Sequence, residues 1–331
     1  MVRLRRTSPS SPGWSRVKHG RGFRYLDEDG LPLAPEQVER CKLLVIPPAW
    51  TEVWICSVPN GHLQAVGTDD AGRRQYVYHP YWRERRDLEK FERMEDFGAA
   101  LLKHRAAARR DLSGDELTLE RVASTAFSLL DLGMFRIGSV RYAEENGSFG
   151  LTTLLKEHVR PAGKGLAFAY AAKSGQEVDV TIRDARVQEV LEALRRRRGG
   201  GDQLLAYKSG RRWKGLDASD VNAYIKDLLG DDHSAKDFRT WRGTTIAALA
   251  LAGSDGSTVT RRKKSVAAAM RDVSEHLGNT PTVARASYVD PRIIDLFQVG
   301  LTVSPDHRRV APGAPTSRTL ERQVLRLLRR A

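Results

Sequence analysis

Residues 166–182 have the sequence Leu166-Ala-Phe-Ala-Tyr-Ala-Ala-Lys173-Ser-Gly-Gln-Glu-Val178-Asp-Val-Thr-Ile182. Two runs of alternating apolar residues lie on either side of a polar Lys-Ser-Gly-Gln segment, which is the pattern of two strands joined by a tight turn. We therefore predict a β-hairpin with Lys173 at its tip. Such a hairpin is unusual here, because the flanking sequence has helical character.

Segments rich in helix-forming residues lie on both sides of this hairpin. Residues 82–110 contain many Arg, Lys, Glu, Leu and Ala, and all five favour helices. Apolar residues recur at helical spacing from Leu117 to Leu132. Further helices are predicted at about residues 184–197, 219–229 and 240–252, and one that includes Ser265 to Leu277. Together they indicate a mainly α-helical domain over residues 89–302, which the hairpin interrupts.

The chain before this domain has the pattern of short strands. Turn-forming residues separate apolar or aromatic runs at Leu43–Ile46, Val53–Val58, Leu63–Thr68 and Gln75–His79. This spacing predicts a small antiparallel β-sheet domain over residues 17–88. The expected protein is therefore α+β with two domains, and the boundary lies near residues 82–92. A flexible basic tail is expected at 1–16, and a linker with a basic C-terminal helix at 303–331.

The charge of the chain is strongly positive. Lys and Arg number 55 against 41 Asp and Glu, which gives a formal net charge of +14. This balance favours nucleic acid as the partner. The two cysteines are too few for a disulfide framework or a four-cysteine zinc site. No apolar run approaches the roughly 20 residues that cross a bilayer, and the N-terminus lacks the apolar core of a signal peptide. We expect a cytoplasmic, nucleoid-associated protein without membrane contact.

Five polar residues fit one chemistry, the transfer of a phosphodiester to a tyrosine. Tyr288 is the candidate nucleophile, because a phenol can lose its proton during attack and the resulting ester is easily reversed. Arg136 and Arg239 suit the non-bridging phosphate oxygens, since a guanidinium is planar and permanently charged. Lys173 can protonate the leaving 5′ oxygen from the hairpin tip, and Asn279 can donate one more hydrogen bond.

Other residues near these five need separate consideration. Lys236 lies three residues before Arg239, a spacing that can place both on one helical face, so Lys236 is a candidate to assist catalysis. Asn279 after Gly278 also suits the turn that ends a helix, with Pro281 preventing its continuation. Each residue alone therefore has an ordinary structural explanation, and the hypothesis depends on the set.

Longer motifs surround the five residues and occur in a definite order. They are Ile46-Pro-Pro-Ala-Trp50, Gly72-Arg-Arg-Gln-Tyr-Val-Tyr-His79 followed by Trp82, Phe135-Arg136-Ile-Gly138, Tyr142-Ala-Glu-Glu-Asn146-Gly-Ser-Phe-Gly-Leu-Thr-Thr153, Lys236-Asp-Phe-Arg239-Thr, and Gly278-Asn-Thr-Pro281 with Tyr288. Over most of residues 35–295 the sequence resembles the type IB DNA topoisomerases, in the compact form of bacteria and poxviruses. The resemblance implies a catalytic domain of the tyrosine recombinase and topoisomerase IB kind.

The resemblance also implies residue roles. Tyr288 would attack the phosphate and form a 3′-phosphotyrosyl link, leaving a free 5′-hydroxyl. Arg136 and Arg239 would stabilise the pentacoordinate phosphate, and Lys173 would protonate the leaving oxygen. Poxviral and eukaryotic members carry histidine at the position of Asn279, whereas bacterial members carry asparagine. The substitution keeps a hydrogen-bond donor and removes a proton-transfer group, so we expect it to affect the rate and not the reaction class.

The implied activity is relaxation of supercoiled duplex DNA by nicking, strand rotation and religation. A monomer would clamp around the duplex, and neither ATP nor a metal ion would be needed. The sequence contains no Gly-x-x-x-x-Gly-Lys-Ser/Thr motif and no recognisable metal-ligand spacing, so no cofactor is predicted.

Residues of the Gln-Tyr-x-Tyr-His motif are candidates for DNA contact. Arg74, Tyr76 and Tyr78 lie on one face of the predicted strand and can follow a groove of the duplex. Tyrosine is also simply common in strands. The full candidate set for DNA contact is Arg74, Gln75, Tyr76, Tyr78, Tyr142 and Asn146.

Two other functions remain open at this point. A tyrosine recombinase uses similar chemistry, but it normally carries His-x-x-Arg where this chain has Lys236-x-x-Arg239, and it lacks the Gln-Tyr-x-Tyr-His motif. A catalytically inactive protein that binds duplex DNA is the second alternative, if Asn279 disables the site. The chain retains Arg136, Lys173, Arg239 and Tyr288, which argues against this second alternative.

Overall fold

The computed structural model describes residues 3–133, 135–140, 143–144, 147–307, 310–311 and 313–330. Contacts between residues divide the chain into two compact units, Met1–Lys90 and Phe91–Ala331. The boundary lies within a long helix, Pro80–Asp111, in the region where the sequence changes from strand-forming to helix-forming residues.

A five-stranded antiparallel sheet forms the first unit. Its strands are β1 (Trp14–His19), β2 (Gly22–Leu26), β3 (Thr51–Ile55), β4 (Leu63–Thr68) and β5 (Arg74–Tyr78), in the order β2-β1-β3-β4-β5. Helix α1 (Pro35–Leu43) connects β2 to β3. Trp14, Ile55 and Ala65 are buried in the small core of this unit. The predicted antiparallel sheet is confirmed.

One predicted strand is wrong. The apolar run Leu43–Ile46 contains the end of α1 followed by a turn, in which Val45 has a φ of 48°. Leu43 and Val45 are largely exposed. The helix begins because Pro35 occupies its first position and the Gln37 side chain accepts a hydrogen bond from the Ala34 amide. Four apolar residues alone do not distinguish a strand from a helix end.

The N-terminal segment differs from the flexible tail expected at residues 1–16. Arg5 forms a parallel bridge with Gly61, and the Thr7 amide donates to Nδ1 of His62 (3.0 Å). Strand β1 already begins at Trp14. The Ser- and Pro-rich composition suggested disorder, but these main-chain groups find partners in the turn before β4.

The second unit is mainly helical and contains the predicted hairpin. Its helices are α2 (Pro80–Asp111, which begins in the first unit), α3 (Leu119–Gly133), α4 (Ala185–Arg196), α5 (Ala218–Leu229), α6 (Ala235–Ala252), α7 (Val259–Leu277), α8 (Pro281–Ser287), α9 (Pro291–Gln298) and α10 (Arg318–Leu328). Its strands are β6 (Val159–Ala162), β7 (Gly165–Ala172), β8 (Gln176–Ile182), β9 (Ala206–Ser209) and β10 (Arg212–Gly215). Single turns of 3-10 helix lie at Leu151–Thr153, Lys156–His158 and Lys173–Gly175.

The core of this unit surrounds helices α3 and α6. Phe127 of α3 and Phe238 of α6 pack edge to face with ring centroids 5.0 Å apart. Strands β6, β7 and β8 form an antiparallel sheet in the order β6-β7-β8. Leu166 and Phe168 of β7 are buried in the same core. The helix α6 is thus held on several sides, which makes it a rigid base for the polar residues that it carries.

The C-terminal helix α10 packs into this core. Leu320, Val324 and Leu328 are almost fully buried, and so is Glu321. Arg105 of α2 forms ion pairs with Glu321 (2.8 Å) and with Asp131 (2.7 Å). Nε1 of Trp241 in α6 donates to Glu321 (3.0 Å). The predicted basic helix is therefore present, and one of its faces completes the core beneath α6.

Removal of the buried carboxylate should strongly destabilise the second unit. Glu321→Ala is expected to lower the free energy of unfolding by about 3–5 kcal/mol, because it leaves the buried Arg105 guanidinium undercompensated. Glu189→Ala is the matched control, since that carboxylate is 72% exposed and its partner Arg121 keeps a hydrogen bond to the Leu112 carbonyl (2.8 Å). The control should cost at most about 1 kcal/mol. Urea unfolding followed by circular dichroism measures both free energies of unfolding. Equal decreases in the two variants would contradict the structural role assigned to Glu321.

Candidate active site

Tyr288 is held at the end of a short helix. Helix α8 begins after Thr280, whose side chain accepts a hydrogen bond from the Val283 amide (3.3 Å). Tyr288 caps the other end, and its amide donates to the carbonyl of Ala284 (2.9 Å). Two residues later the Asp290 amide donates to the Thr244 hydroxyl of α6 (3.0 Å). These bonds fix the main chain on both sides of Tyr288.

Gly243 allows the main chain at Tyr288 to lie close to α6. A Cβ atom at position 243 would collide with the carbonyl oxygen of Tyr288. Gly243 and Thr244 were not predicted as functional residues, because a glycine and a threonine within a helix carry no local signal of such a contact. Their position one turn after Arg239 becomes informative only once the fold is known.

Arg239 lies directly against Tyr288. Its Cζ atom is 5.1 Å from the centre of the Tyr288 ring, and its guanidinium hydrogen-bonds the Tyr288 side chain. Arg239 is 5% exposed. Burial lowers the pKa of this guanidinium, and the positive charge of Arg136 lowers it further. A buried cation beside a phenol oxygen is suited to stabilise negative charge that develops there.

Two arginines bind successive carbonyls at the C-terminal end of α7. Nη2 of Arg239 donates to the carbonyl of Leu277 (2.6 Å), and Nη2 of Arg136 donates to the carbonyl of Gly278 (2.7 Å). The C-terminus of a helix carries partial negative charge, which favours cations there. Gly278 ends the helix in the left-handed conformation (φ 56°). The structure therefore brings the two predicted arginines together at one helix end.

Asn279 follows this helix end and has unusual surroundings. Its amide donates to the carbonyl of Ser274 (3.1 Å). Both polar atoms of its side chain are buried and have no hydrogen-bond partner among the described residues. Buried polar groups are normally paired. The side chain of Asn279 is thus available to a ligand that reaches the two arginines.

The two candidate lysines are exposed, unlike the cluster formed by Arg136, Arg239, Asn279 and Tyr288. Lys173 begins the 3-10 turn between β7 and β8, as predicted, and its side chain is exposed. Lys236 lies in the first turn of α6 and is also exposed, whereas Arg239 on the next turn is buried. Neither lysine forms an ion pair or hydrogen bond with a residue in the described parts of the chain. Both remain candidates for contact with substrate.

A cavity of about 370 Å³ opens beside the two arginines. Tyr170 of β7 lines it together with Gln176, and the Tyr170 ring stacks on Phe135 with centroids 6.2 Å apart. Burial raises the pKa of Tyr170 above that of an ordinary phenol, although the charges of Arg136 and Arg239 oppose this shift. Tyr170 was not predicted as a site residue, because the alternation of β7 indicates only that it points inward.

Two family models match the chain. Residues 79–294 match the family described as eukaryotic DNA topoisomerase I, catalytic core, and residues 22–69 match bacterial DNA topoisomerase IB, N-terminal domain. The chain belongs to the type IB DNA topoisomerases. It is also 30% identical to a protein named DNA topoisomerase 1B from Acanthamoeba polyphaga mimivirus, over 310 residues that cover 91% of this chain and 92% of the relative.

This membership confirms the predicted family, the two-domain α+β fold and a type I DNA topoisomerase that acts on DNA. Both matches are to topoisomerase families, which decides against the recombinase alternative. The cluster of Arg136, Arg239 and Tyr288 lies within the matched catalytic core.

The first unit of this topoisomerase carries an exposed aromatic strip. Tyr76 and Tyr78 alternate with partly buried residues along β5, and their stacked rings lie 6.1 Å apart. Arg74 is exposed on the same face. Gln75 is turned the other way, and its side chain donates to Asp69 (2.8 Å). The remaining candidates for DNA contact, Tyr142 and Asn146, lie outside the described residues.

In the described parts of this topoisomerase, no three or more His, Cys, Asp and Glu side chains are placed to hold a metal ion. None of the described helices is both long and apolar enough to cross a membrane.

Proposed function

We propose that this topoisomerase relaxes supercoiled duplex DNA through a covalent bond between Tyr288 and a 3′-phosphate. One strand is nicked, the free 5′ end rotates about the intact strand, and the same 5′-hydroxyl reseals the nick. The contact of buried Arg239 with Tyr288 is the observation that carries the proposal. It places a fixed positive group beside the oxygen that would attack phosphorus.

The cleavage step exchanges one phosphodiester for another. The Tyr288 oxygen bonds to phosphorus and releases its proton to solvent, while the bond from phosphorus to the 5′ oxygen breaks. Lys173 gives a proton to that oxygen and regains one from solvent. Because the energy of the broken ester is kept in the new one, religation needs no ATP, and the torque stored in the DNA drives rotation.

The positive side chains would stabilise the transition state of cleavage. Charge increases on the non-bridging oxygens when phosphorus becomes pentacoordinate, and preorganised donors stabilise it most effectively. When DNA binds, Arg136 and Arg239 would donate hydrogen bonds to those phosphate oxygens. They would do so either in place of their bonds to the Gly278 and Leu277 carbonyls or in addition to them. Asn279 would donate a further hydrogen bond, and Lys236 would assist from its exposed position near the start of α6.

DNA contact would extend beyond the catalytic cluster. The exposed Arg74, Tyr76 and Tyr78 suit phosphates and sugars along a groove. We propose that a monomer clamps the duplex and that the net charge of +14 contributes to association. Binding should weaken steeply with salt, because neutralised phosphates release their counterions. Action on chromosomal DNA would place the protein at the nucleoid.

The proposal predicts relaxation without cofactors. Negatively supercoiled plasmid should relax fully in EDTA with no nucleotide, in steps that gel electrophoresis resolves. Rapid denaturation during the reaction should trap protein on nicked DNA, and peptide sequencing should find the nucleotide on Tyr288. A protein that binds plasmid without relaxing it would support the inactive DNA-binding alternative. An adduct on any other residue would refute the role of Tyr288.

A further inference from the structure

Polar atoms of two side-chain amides in the second unit are buried without a hydrogen-bond partner among the described residues. Asn279 has neither a donor for its Oδ1 nor an acceptor for its Nδ2, and Gln176 has no donor for its Oε1 among the described residues. Unpaired buried amides are rare in folded proteins, and each needs an explanation. Gln176 and Gly278, the residue before Asn279, line the same cavity as Arg136 and Arg239.

Gln176 and Asn279 come from different parts of the fold. Gln176 lies close to Gly278, which precedes Asn279 in the chain. Gln176 is the first residue of strand β8 and lies three residues after Lys173 in the same hairpin. A Cβ atom at Gly278 would lie 2.8 Å from the Gln176 Oε1 atom, so this oxygen already touches the residue that precedes Asn279.

The orientation of the Asn279 amide matters for its proposed role. An amide presents a donor and an acceptor of nearly the same shape, and only the donor can stabilise a phosphate oxygen. No hydrogen bond from the described residues selects between the two orientations of the Asn279 amide. A neighbouring acceptor that binds one N–H of Nδ2 would turn the other N–H outward and remove this ambiguity. Gln176 Oε1 is a buried acceptor without a donor among the described residues, and it lies close to Gly278, the residue before Asn279.

We propose that Gln176 is a positioning residue, which accepts a hydrogen bond from Nδ2 of Asn279 when DNA is bound. This inference rests on the proposed function, in which Asn279 donates to the scissile phosphate. The second N–H of Nδ2 then points to a non-bridging oxygen. Gln176 and Lys173 belong to one hairpin, so the element that would supply the proton also carries the acceptor that orients the donor.

The test is a double-mutant cycle measured by single-turnover cleavage at saturating protein. Asn279→Ala should slow cleavage by about 100-fold, as expected for loss of one oxyanion donor. Gln176→Met, which lacks the acceptor but keeps the length, should slow it by about 10-fold with DNA affinity unchanged. The double variant should cleave no more slowly than Asn279→Ala alone, because Gln176 acts only through Asn279.

Controls separate positioning from folding. Gln176→Leu is made beside Gln176→Met, so that one poorly folded variant does not decide the result, and thermal melting is recorded for both. Gln188→Met makes the same change at a glutamine of α4 that donates to the Lys164 carbonyl (3.2 Å) and does not line the cavity, and it should cleave at the wild-type rate. Effects of Gln176→Met and Asn279→Ala that multiply would overturn the proposal.

Failure of the inference and failure of the proposed function give different results. If Tyr288→Phe is inactive while the effects at positions 176 and 279 multiply, only the inference about Gln176 fails. If Tyr288→Phe cleaves at the wild-type rate, the proposed function fails, and the inference fails with it.

Discussion

Tyr288→Phe is expected to slow DNA cleavage by at least about 10⁴-fold, the scale seen when a covalent nucleophile is removed. The variant keeps the aromatic ring that lies over Arg239 and loses only the phenol oxygen. Without that oxygen no ester to phosphorus can form, and the guanidiniums have no bound intermediate to stabilise. Single-turnover cleavage and plasmid relaxation should both be lost.

The folded structure should tolerate this change. Tyr288 is half-buried, and its hydroxyl gives up a hydrogen bond with Arg239, so the free energy of unfolding should fall by only about 1 kcal/mol. DNA binding should persist, since the cationic residues remain. A melting curve and a binding isotherm near those of the parent protein would assign the lost activity to chemistry.

Tyr170 provides a matched control for the nucleophile. It is a second phenol close to the same two arginines, but it is buried in β7 behind them. Tyr170→Phe should change cleavage by less than about 10-fold, because its hydroxyl forms no hydrogen bond with the described residues. If Tyr170→Phe were inactive and Tyr288→Phe active, the nucleophile would be Tyr170 and not Tyr288.

The parts of the fold that local chemistry determines could be predicted from the sequence. Helix α4 begins at Ala185 because the side chain of Asp184 accepts hydrogen bonds from the amides of Arg186 and Val187, and this cap can be recognised in the sequence. The position of Lys173 at the hairpin tip follows from the alternation on both sides of it. Candidate residues with distinctive chemistry, such as Arg136 and Tyr288, could be listed for the same reason.

Contacts between distant residues could not be predicted. The bond from Arg136 to the Gly278 carbonyl joins residues that are 142 positions apart, and neither has a local feature that requires the other. The amphipathic pattern of α10 predicts a helix, but its buried Glu321 has a role only because Arg105 and Trp241 lie opposite. The proximity of Gln176 to Gly278 belongs to the same class, since the hairpin and the end of α7 come together only in the folded chain.

Lys173→Ala is the other change with a large expected effect. On normal DNA it should slow cleavage by about 10²–10⁴-fold, because the departing 5′ oxygen would leave as an alkoxide without a proton donor. The structure leaves Lys173 exposed at the hairpin tip, between β7 and β8, so the substitution should not disturb the core. Single-turnover cleavage at saturating protein measures the step itself.

A substrate with sulfur in place of the bridging 5′ oxygen separates proton donation from other roles of this lysine. A thiol is far more acidic than an alcohol, so the thiolate leaves without protonation, and Lys173→Ala should cleave this DNA at nearly the wild-type rate. Lys236→Ala is the control, because a lysine that acts through its charge should have the same effect on both substrates. If sulfur restores neither variant, Lys173 acts on the phosphate and not on the leaving group, and the proton must come from another residue or from water.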